Sequence, residues 1–221
     1  MAVRPKPLIV GLSGGTASGK TTVSKAIISQ LESASGVCEL ISLDMFYRPL
    51  SAAQQEQAKA DAYNFDHPNA IDFDLLKKTL QSIVDGEPVD IPLYDFGEHN
   101  RVGVEKRIER ADVIVLEGIF ALYDEGIRDL MDLKVFVDSD SDTRLARRVR
   151  RDMAQRDRTL ASVLDQYEKY VKPAFDVYIA PTKRYANIIL PQGTYNEVGI
   201  ELIALHIRMK LEAMLKESGE K

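Results

Sequence analysis

Short apolar runs alternate with longer stretches of helical period along this chain. Residues 8–12, 39–43, 113–116, 134–137 and 188–190 are rich in Val, Ile or Leu and bounded by polar or glycine residues. That is the pattern of strands buried on both faces of a parallel sheet. Helical stretches lie between them. Residues 19–31 come first, then 51–62, which opens on a Ser51 cap and is rich in Ala and Gln. Residues 74–84 carry Leu75, Leu76, Leu80, Ile83 and Val84 and end at Gly86. Residues 142–154 and 160–171 follow, with Pro173 expected to break or kink the second. Residues 198–215 predict a long amphipathic closing helix, and 216–221 a frayed tail. Strands alternating with helices predict an α/β fold, a doubly wound parallel five-stranded sheet of the P-loop NTPase type. Residues 88–110 break the alternation. Their two short β segments, 89–94 and 102–108, predict a hairpin projecting from the sheet. No repeat or long linker divides the chain, so residues 1–221 read as one domain.

The loop after the first run is Gly14-Gly15-Thr16-Ala17-Ser18-Gly19-Lys20-Thr21, which fits G-x-x-x-x-G-K-[S/T]. The competing reading is a Gly/Ser turn that matches by accident. The strand before it and the helix opening at Thr22 supply the context that a phosphate-binding P-loop requires. Glycines let the backbone wrap an anion, and amide groups at the helix N-terminus face the phosphates. Lys20 would reach the β- and γ-phosphates and the Thr21 hydroxyl would hold Mg²⁺. The motif implies a bound nucleoside triphosphate and leaves the fate of its γ-phosphate open.

Composition narrows the partners. The chain has 221 residues, a net charge of −5 and a pI of about 5.4, with 45% hydrophobic residues. A core can be packed, and the acidic balance argues against a nucleic-acid partner. The single cysteine, Cys38, allows no intrachain disulfide and reads as a core residue. No apolar run approaches a membrane span, and residues 1–7 lack the apolar stretch of a signal peptide. No membrane partner and a cytoplasmic location are expected. His67, His99 and His206 lack zinc-site spacing.

Ligands in such folds bind beyond the carboxyl ends of the strands. Three acidic features fall there: Asp44 after the second run, Glu117-Gly118 after the third, and Asp138 with Asp140 after the fourth. Glu117 is the candidate to complete a Mg²⁺ site, and Gly118 would leave room for phosphates. Asp44 suits a base that takes the proton of an acceptor hydroxyl, or a group that touches the metal; a solvated strand-end carboxylate is the alternative. Phe46-Tyr47 could wall an acceptor pocket. Seven arginines lie between 144 and 158: Arg144, Arg147, Arg148, Arg150, Arg151, Arg156 and Arg158. Four of them, at 144, 147, 148 and 151, share one helix face. A solvated face paired with Asp140, Asp142 and Asp152 is one reading. The exclusive use of arginine favours a lid over the phosphates, at about 144–160.

At this point the chain resembles the uridine kinase (uridine–cytidine kinase) family. The resemblance rests on the P-loop, Asp44-Met45-Phe46-Tyr47, Asn64-Phe65-Asp66-His67-Pro68, and Pro92-Leu93-Tyr94-Asp95-Phe96 with His99 and Arg101. Glu117-Gly118-Ile119, Phe136-Val137-Asp138, Asp142-Thr143-Arg144-Leu145, Arg147-Arg148, Arg151-Asp152 and Val171-Lys172-Pro173 complete it, in order from about residue 8 to 210. It implies phosphorylation of the 5′-hydroxyl of uridine or cytidine by ATP (or GTP), giving UMP or CMP in pyrimidine salvage. It implies Asp44 as general base, with Lys20 and Arg151 in catalysis. Thr21, Asp44 and Glu117 would serve Mg²⁺. Gly14 to Thr22, Arg148 and Arg158 would meet the donor. Tyr47, Asp66, Tyr94, Phe96, His99, Arg151, Arg156 and Gln166 would form the nucleoside pocket, with Asp66 and Arg151 on the ribose hydroxyls. A homo-oligomer, commonly a tetramer, is also implied. Without the resemblance, Tyr94 and Phe96 read as hairpin packing.

Two positions depart from the family pattern. Met45 replaces a small serine, and Asp157 stands where glycine is common. From the length, the uracil-phosphoribosyltransferase-like domain of some relatives is not expected. A related P-loop kinase of the phosphoribulokinase or pantothenate kinase type is the alternative activity. A nucleotide-dependent switch would need N-K-x-D and D-x-x-G strings, which are absent. A non-catalytic scaffold is disfavoured by the intact Lys20, Thr21, Asp44 and Glu117.

Overall fold

The computed structural model describes residues 5–32, 36–156 and 158–217. Strand β1 (Leu8–Ser13) leads through the P-loop into α1 (Lys20–Glu32), and β2 (Cys38–Ser42) ends in a 3₁₀ turn, Leu43–Phe46. Helices α2 (Ala52–Lys59) and α3 (Phe73–Val84) precede the hairpin of β3 (Val89–Asp95) and β4 (Asn100–Ile108). Then come β5 (Val113–Glu117), α4 (Glu125–Arg128), β6 (Leu133–Asp138) and α5 (Ser141–Gln155). Helices α6 (Leu160–Gln166) and α7 (Lys172–Ala174), strand β7 (Ile188–Pro191) and helix α8 (Glu197–Glu217) close the chain.

The sheet order is β2-β5-β1-β6-β7, and every pairing in it is parallel. All five predicted strands are present, each within one or two residues of its expected bounds. β3 and β4 form a separate antiparallel pair, the predicted hairpin, with register shifts at Ile91/Pro92 and Leu93/Tyr94. Pro92 cannot donate to the ladder, and such irregularities bend a ribbon.

Apolar side chains alternate across the sheet. Ile9, Ile41, Ile114, Leu116 and Phe136 pack with Phe46, Leu76, Leu80, Phe120 and Ile179 on one face. Leu8, Val10, Leu12, Val113, Val115 and Val135 pack with Val23, Ile27, Ile200 and Ile203 on the other. Each such side chain contributes about 1.5–3 kcal/mol on burial. A surface pair such as Lys59–Glu56 contributes about 1 kcal/mol at most. The two apolar layers therefore fix the sheet, and the sheet fixes where its strands end.

Local expectations changed in three places. α2 stops at Lys59, short of 62, because Asp61 adopts a left-handed φ of 54°. Its start follows the expected signal, since Ser51 and Gln54 form a reciprocal capping box. Pro173 does not end its helix. The chain passes through wide π turns at Tyr167–Val171 and Phe175–Ile179 on either side of α7, and the helical run continues to Ile179. Wide turns absorb the missing donor that a regular α-helix would show as a break. The outward face of α8 exposes Val198, Leu202, Leu205 and Met209, so the closing helix has a second apolar stripe opposite its buried one. Asp157 and residues 218–221 of the expected tail lie outside the described residues.

Candidate functional site

The P-loop is built from backbone. Gly14 has φ 152° and Gly19 has φ 94°, and Ala17 between them is also left-handed at 55°. A Cβ at Gly14 would lie 2.4 Å from the Val137 carbonyl oxygen, so the turn at this position admits no side chain. Lys20 is buried and donates to the Gly15 carbonyl at 3.2 Å. Burial lowers its pKa, while Glu117 and Asp44 act in the opposite sense. A cationic lysine folded back over its own loop has its charge available for a phosphate. Ser18 is also buried, and its hydroxyl has no partner.

Strand register places the acids. β5 pairs with both β1 and β2, opposing Glu117 to Leu12 on one side and to Ser42 on the other. The Ser42 hydroxyl donates to Glu117 Oε1 at 3.1 Å and accepts from the Asp44 amide at 3.4 Å. Burial raises the Glu117 pKa, with Lys20 opposing and Asp44 reinforcing the shift. Thr21 beside Glu117 helps to hold that pKa down. Thr21, Asp44 and Glu117 all line the same cleft. Asp138 does not join them, because Lys183 pairs with it at 2.8 Å. Among the described residues no cluster of His, Cys, Asp and Glu forms a complete metal cage. A hydroxyl and two carboxylates beside a phosphate loop still fit Mg²⁺, which takes few protein ligands alongside phosphate oxygens and water.

Gly118 has a packing role besides the expected one. A Cβ there would sit 2.3 Å from the Leu43 Cβ, so its missing side chain makes room for the residue before Asp44 as well as bordering the cleft. Met45, the departure from the family pattern, packs on the core below.

The second half of the site is made of side chains from three segments. Tyr47 follows the 3₁₀ turn. Phe65 and Asp66 come from the loop after α2, Tyr94 and Phe96 from β3 and its turn, and His99 from that turn at φ 48°. Tyr47 meets Tyr94 with ring centroids 5.3 Å apart and Phe65 at 5.7 Å edge-on. Phe65 stacks on His99 at 4.9 Å, and Tyr94 meets Phe96 at 5.3 Å. The Tyr94 hydroxyl is buried without a partner. Both tyrosines have raised pKa values, chiefly through burial, so both stay protonated donors.

The Asn64–Pro68 segment has a local logic. Asn64 Oδ1 accepts from the Asp66 amide, an Asx turn that aims Asp66 inward. His67 caps the next 3₁₀ turn through Nδ1 and meets the Tyr178 hydroxyl through Nε2. Burial raises the Asp66 pKa, and the charges of Arg148, Arg156 and Arg151 oppose the shift. Arg101 ties the hairpin down, donating to the Phe46 carbonyl and to Asp72.

The arginines divide. Arg144 and Arg148 are buried on the face of α5 that meets the P-loop. Arg144 lies 4.0 Å over the Phe175 ring, and Arg148 donates to Thr16 Oγ1 at 3.2 Å. Arg147 reaches 5.4 Å over Tyr195. Arg156 is 5.9 Å over Phe96, on the acceptor side. Arg158, which the resemblance assigns to the donor, instead hydrogen-bonds Gln166 and lies 3.9 Å from Asp61. Gln166 in turn donates to Asp61 at 2.8 Å. Arg150 points to solvent. Asp152, read from sequence as a solvated counter-charge, is wholly buried among Arg148, Arg151 and Arg156. Three residues gained a role that spacing did not give them: Ser42, Phe65 and Asp152. The Ser42 signal was recoverable once β2 and β5 are known to be neighbours.

A cleft of about 1020 Å³ joins the halves, lined by Thr16, Lys20 and Thr21 at one end and Tyr47, Asp66 and Phe96 at the other, with Asp44 and Glu117 between. That is room for a triphosphate and a second molecule of similar size.

The pattern of the phosphoribulokinase / uridine kinase family matches residues 9–199. Uridine-cytidine kinase B of Dictyostelium discoideum is 49% identical over 217 residues, covering 97% of this chain and 88% of that protein. Uridine-cytidine kinase A of the same organism is 51% identical over 93% of this chain, and mouse uridine-cytidine kinase-like 1 is 49% identical over 92%. The chain spans only 40% and 37% of the length of those two. Among solved structures, phosphoribulokinase from Rhodobacter spheroides superposes with a TM-score of 0.67 at 18% identity, over 84% of this chain and 70% of that one. D-glycerate 3-kinase from Cryptococcus neoformans does so with a TM-score of 0.56 at 16% identity, over 78% and 79%. At those identities the likeness shows the fold.

Proposed function

Because the chain belongs to the phosphoribulokinase / uridine kinase family, we propose that it phosphorylates the 5′-hydroxyl of uridine and cytidine. ATP, or GTP, is the donor, and UMP and CMP are the products. The observation that carries this is the single cleft with a phosphate loop at one end, an aromatic box around a half-buried carboxylate at the other, and Asp44 at the junction.

The residues divide the work. P-loop amides and Lys20 hold the β- and γ-phosphates, and Arg148 and Arg151 add charge where the transferring group loosens. Thr21, Asp44 and Glu117 would hold Mg²⁺, which when bound neutralises phosphate charge. Asp44 orients the acceptor hydroxyl and takes its proton. Asp66 accepts the ribose hydroxyls, so a deoxyribose would leave a buried acceptor unpaired. Tyr47, Phe65, Tyr94, Phe96 and His99 offer faces and edges to the pyrimidine. Phosphate transfer from ATP across a panel of ribo- and deoxyribonucleosides tests the reading. Turnover of uridine and cytidine is expected; none of either by folded protein would overturn it.

Two coarser features bear on the surroundings proposed for this activity. No described helix is long and apolar enough to cross a membrane, and a cytoplasmic location remains part of the proposal. The exposed stripe of Val198, Leu202, Leu205 and Met209 supports self-association, as the resemblance implies. Leu202→Glu is expected to lower the mass measured by light scattering.

A further inference from the structure

Helix α2 ends in a turn that glycine usually makes. The Asp61 amide donates to the Ala58 carbonyl at 3.1 Å, and the Ala62 amide donates to the Gln57 carbonyl at 2.7 Å. That pair of bonds closes a helix through one left-handed residue, and here the residue is Asp61 at φ 54°. Glycine adopts this conformation without steric cost, whereas a Cβ crowds the following carbonyl. A residue held in such a conformation is one that its surroundings over-determine.

The Asp61 side chain shows what holds it. Ser162 Oγ donates to Oδ2 at 2.7 Å and Gln166 Nε2 donates to Oδ1 at 2.8 Å. Ser162 and Gln166 are four residues apart in α6, so one face of that helix meets one carboxylate. Beside them the Tyr170 hydroxyl donates to the Ala62 carbonyl at 2.9 Å. The turn after α2 is thereby clasped to the helix that follows the arginines.

The clasp fixes one side chain in particular. Gln166 Oε1 accepts from Arg158 while Gln166 Nε2 donates to Asp61. A guanidinium only donates and a carboxylate only accepts, so the amide between them has a single orientation. Arg158 Nη2 also lies 3.9 Å from Asp61 Oδ1, which closes the three groups into a ring. All three line the cleft, together with Phe65, Phe96 and His99 of the aromatic box. The clasp takes one N–H and one lone pair of the Gln166 amide and leaves one of each for a ligand.

We propose that Asp61 is a positioning residue for the acceptor: with Arg158 as the opposite jaw, it fixes the Gln166 amide in the cleft wall so that the nucleoside meets it already oriented. The role rests on the nucleoside kinase reading above. A preorganised side chain has little rotamer freedom left to lose on binding, so the gain falls on acceptor affinity. Asp61 acts through Gln166, and its signature is therefore KM for the nucleoside and not the transfer step.

Asp61→Gly separates the side chain from the turn. Wild-type turnover of uridine is measured first, since its absence would fail the kinase reading and not this inference. Glycine suits φ 54°, so the variant is expected to fold and to melt close to wild type. Its uridine and cytidine KM are expected to rise about fivefold or more, with kcat and the ATP KM within about twofold. A merely structural role would show in the melting temperature and leave both nucleoside KM values unchanged, and that result would overturn the proposal. Asp61→Asn tolerates the same backbone and keeps an oxygen for Gln166, so it is expected to hold both KM values within about threefold of wild type. A rise in Asp61→Asn as large as that in Asp61→Gly would assign the effect to charge and overturn the positioning role. In a Gln166→Ala background, Asp61→Gly is expected to add less than about twofold to the uridine KM. A further fivefold rise there would show that Asp61 acts by another route, and would equally overturn the proposal.

Discussion

The two ends of the cleft are made of different material. The donor end is backbone: one continuous loop between β1 and α1, held by glycine torsions and closed by Lys20 on its own carbonyl. The acceptor end is side chain: rings from three separate segments, resting on one another and anchored through Arg101 and the Asn64 turn. A backbone cradle recognises what all nucleoside triphosphates share. A box of side chains recognises what one acceptor has and another lacks. Damage to the donor end should therefore appear in kcat with any acceptor, and damage to the acceptor end in KM and in selectivity.

The largest expected effect is at Lys20. Lys20→Ala should lower kcat by about 10³-fold, with every nucleoside equally affected. A loss confined to one acceptor would break the division. Asp44 stands at the junction, and Asp44→Asn should lower kcat about 10²-fold with little change in ATP affinity. An unchanged kcat would remove Asp44 as the base. Asp66→Ala should raise the uridine KM about tenfold or more, leave the ATP KM alone and erase most discrimination against 2′-deoxy analogues. Retained discrimination would refute the ribose role. Phe96→Ala should cost only a few-fold in uridine KM, since that ring is half exposed at the rim.

Acidity sharpens the comparison further. Burial raises the Asp66 pKa, so acid should reduce uridine kcat/KM at a pH above the usual aspartate value of about 3.9. The stability sign is opposite. A carboxyl whose folded pKa is raised contributes stability below its unfolded pKa and loses it as pH rises through the folded value. Asp66→Asn should therefore melt at a higher temperature than wild type at neutral pH, while binding uridine less well. A lower melting temperature would show that the charged form is structurally supported.

This contrast also explains what was legible in the sequence. The P-loop is one contiguous stretch whose backbone must turn in a set way, so its residues announce it. The five strands were legible because burial on both faces leaves continuous apolar runs. The meeting of Glu117 with Ser42 needed the strand order, which no local pattern carries. Beyond Tyr47, the aromatic box was legible only through resemblance, because Tyr47, Asp66 and Tyr94 share no local spacing rule. Pro173 shows as wide turns and not as an end, because proline excludes a regular turn and not a wide one. Asp152 misled because a charge in a charged helix normally faces water, and here the helix turns its arginines inward.

One contact has a reach beyond its size. Gly118 leaves space that the Leu43 side chain fills, and Leu43 is fully buried with Asp44 as the next residue. A methyl group at 118 would alter no charge and no atom that the nucleoside touches. It would press on Leu43, and the displacement would arrive one residue later at Asp44, the carboxylate proposed to take the proton. A library that varies only the residues lining the acceptor would find selectivity and overlook this position. A lineage that accepted alanine there would keep its pocket and lose its aim.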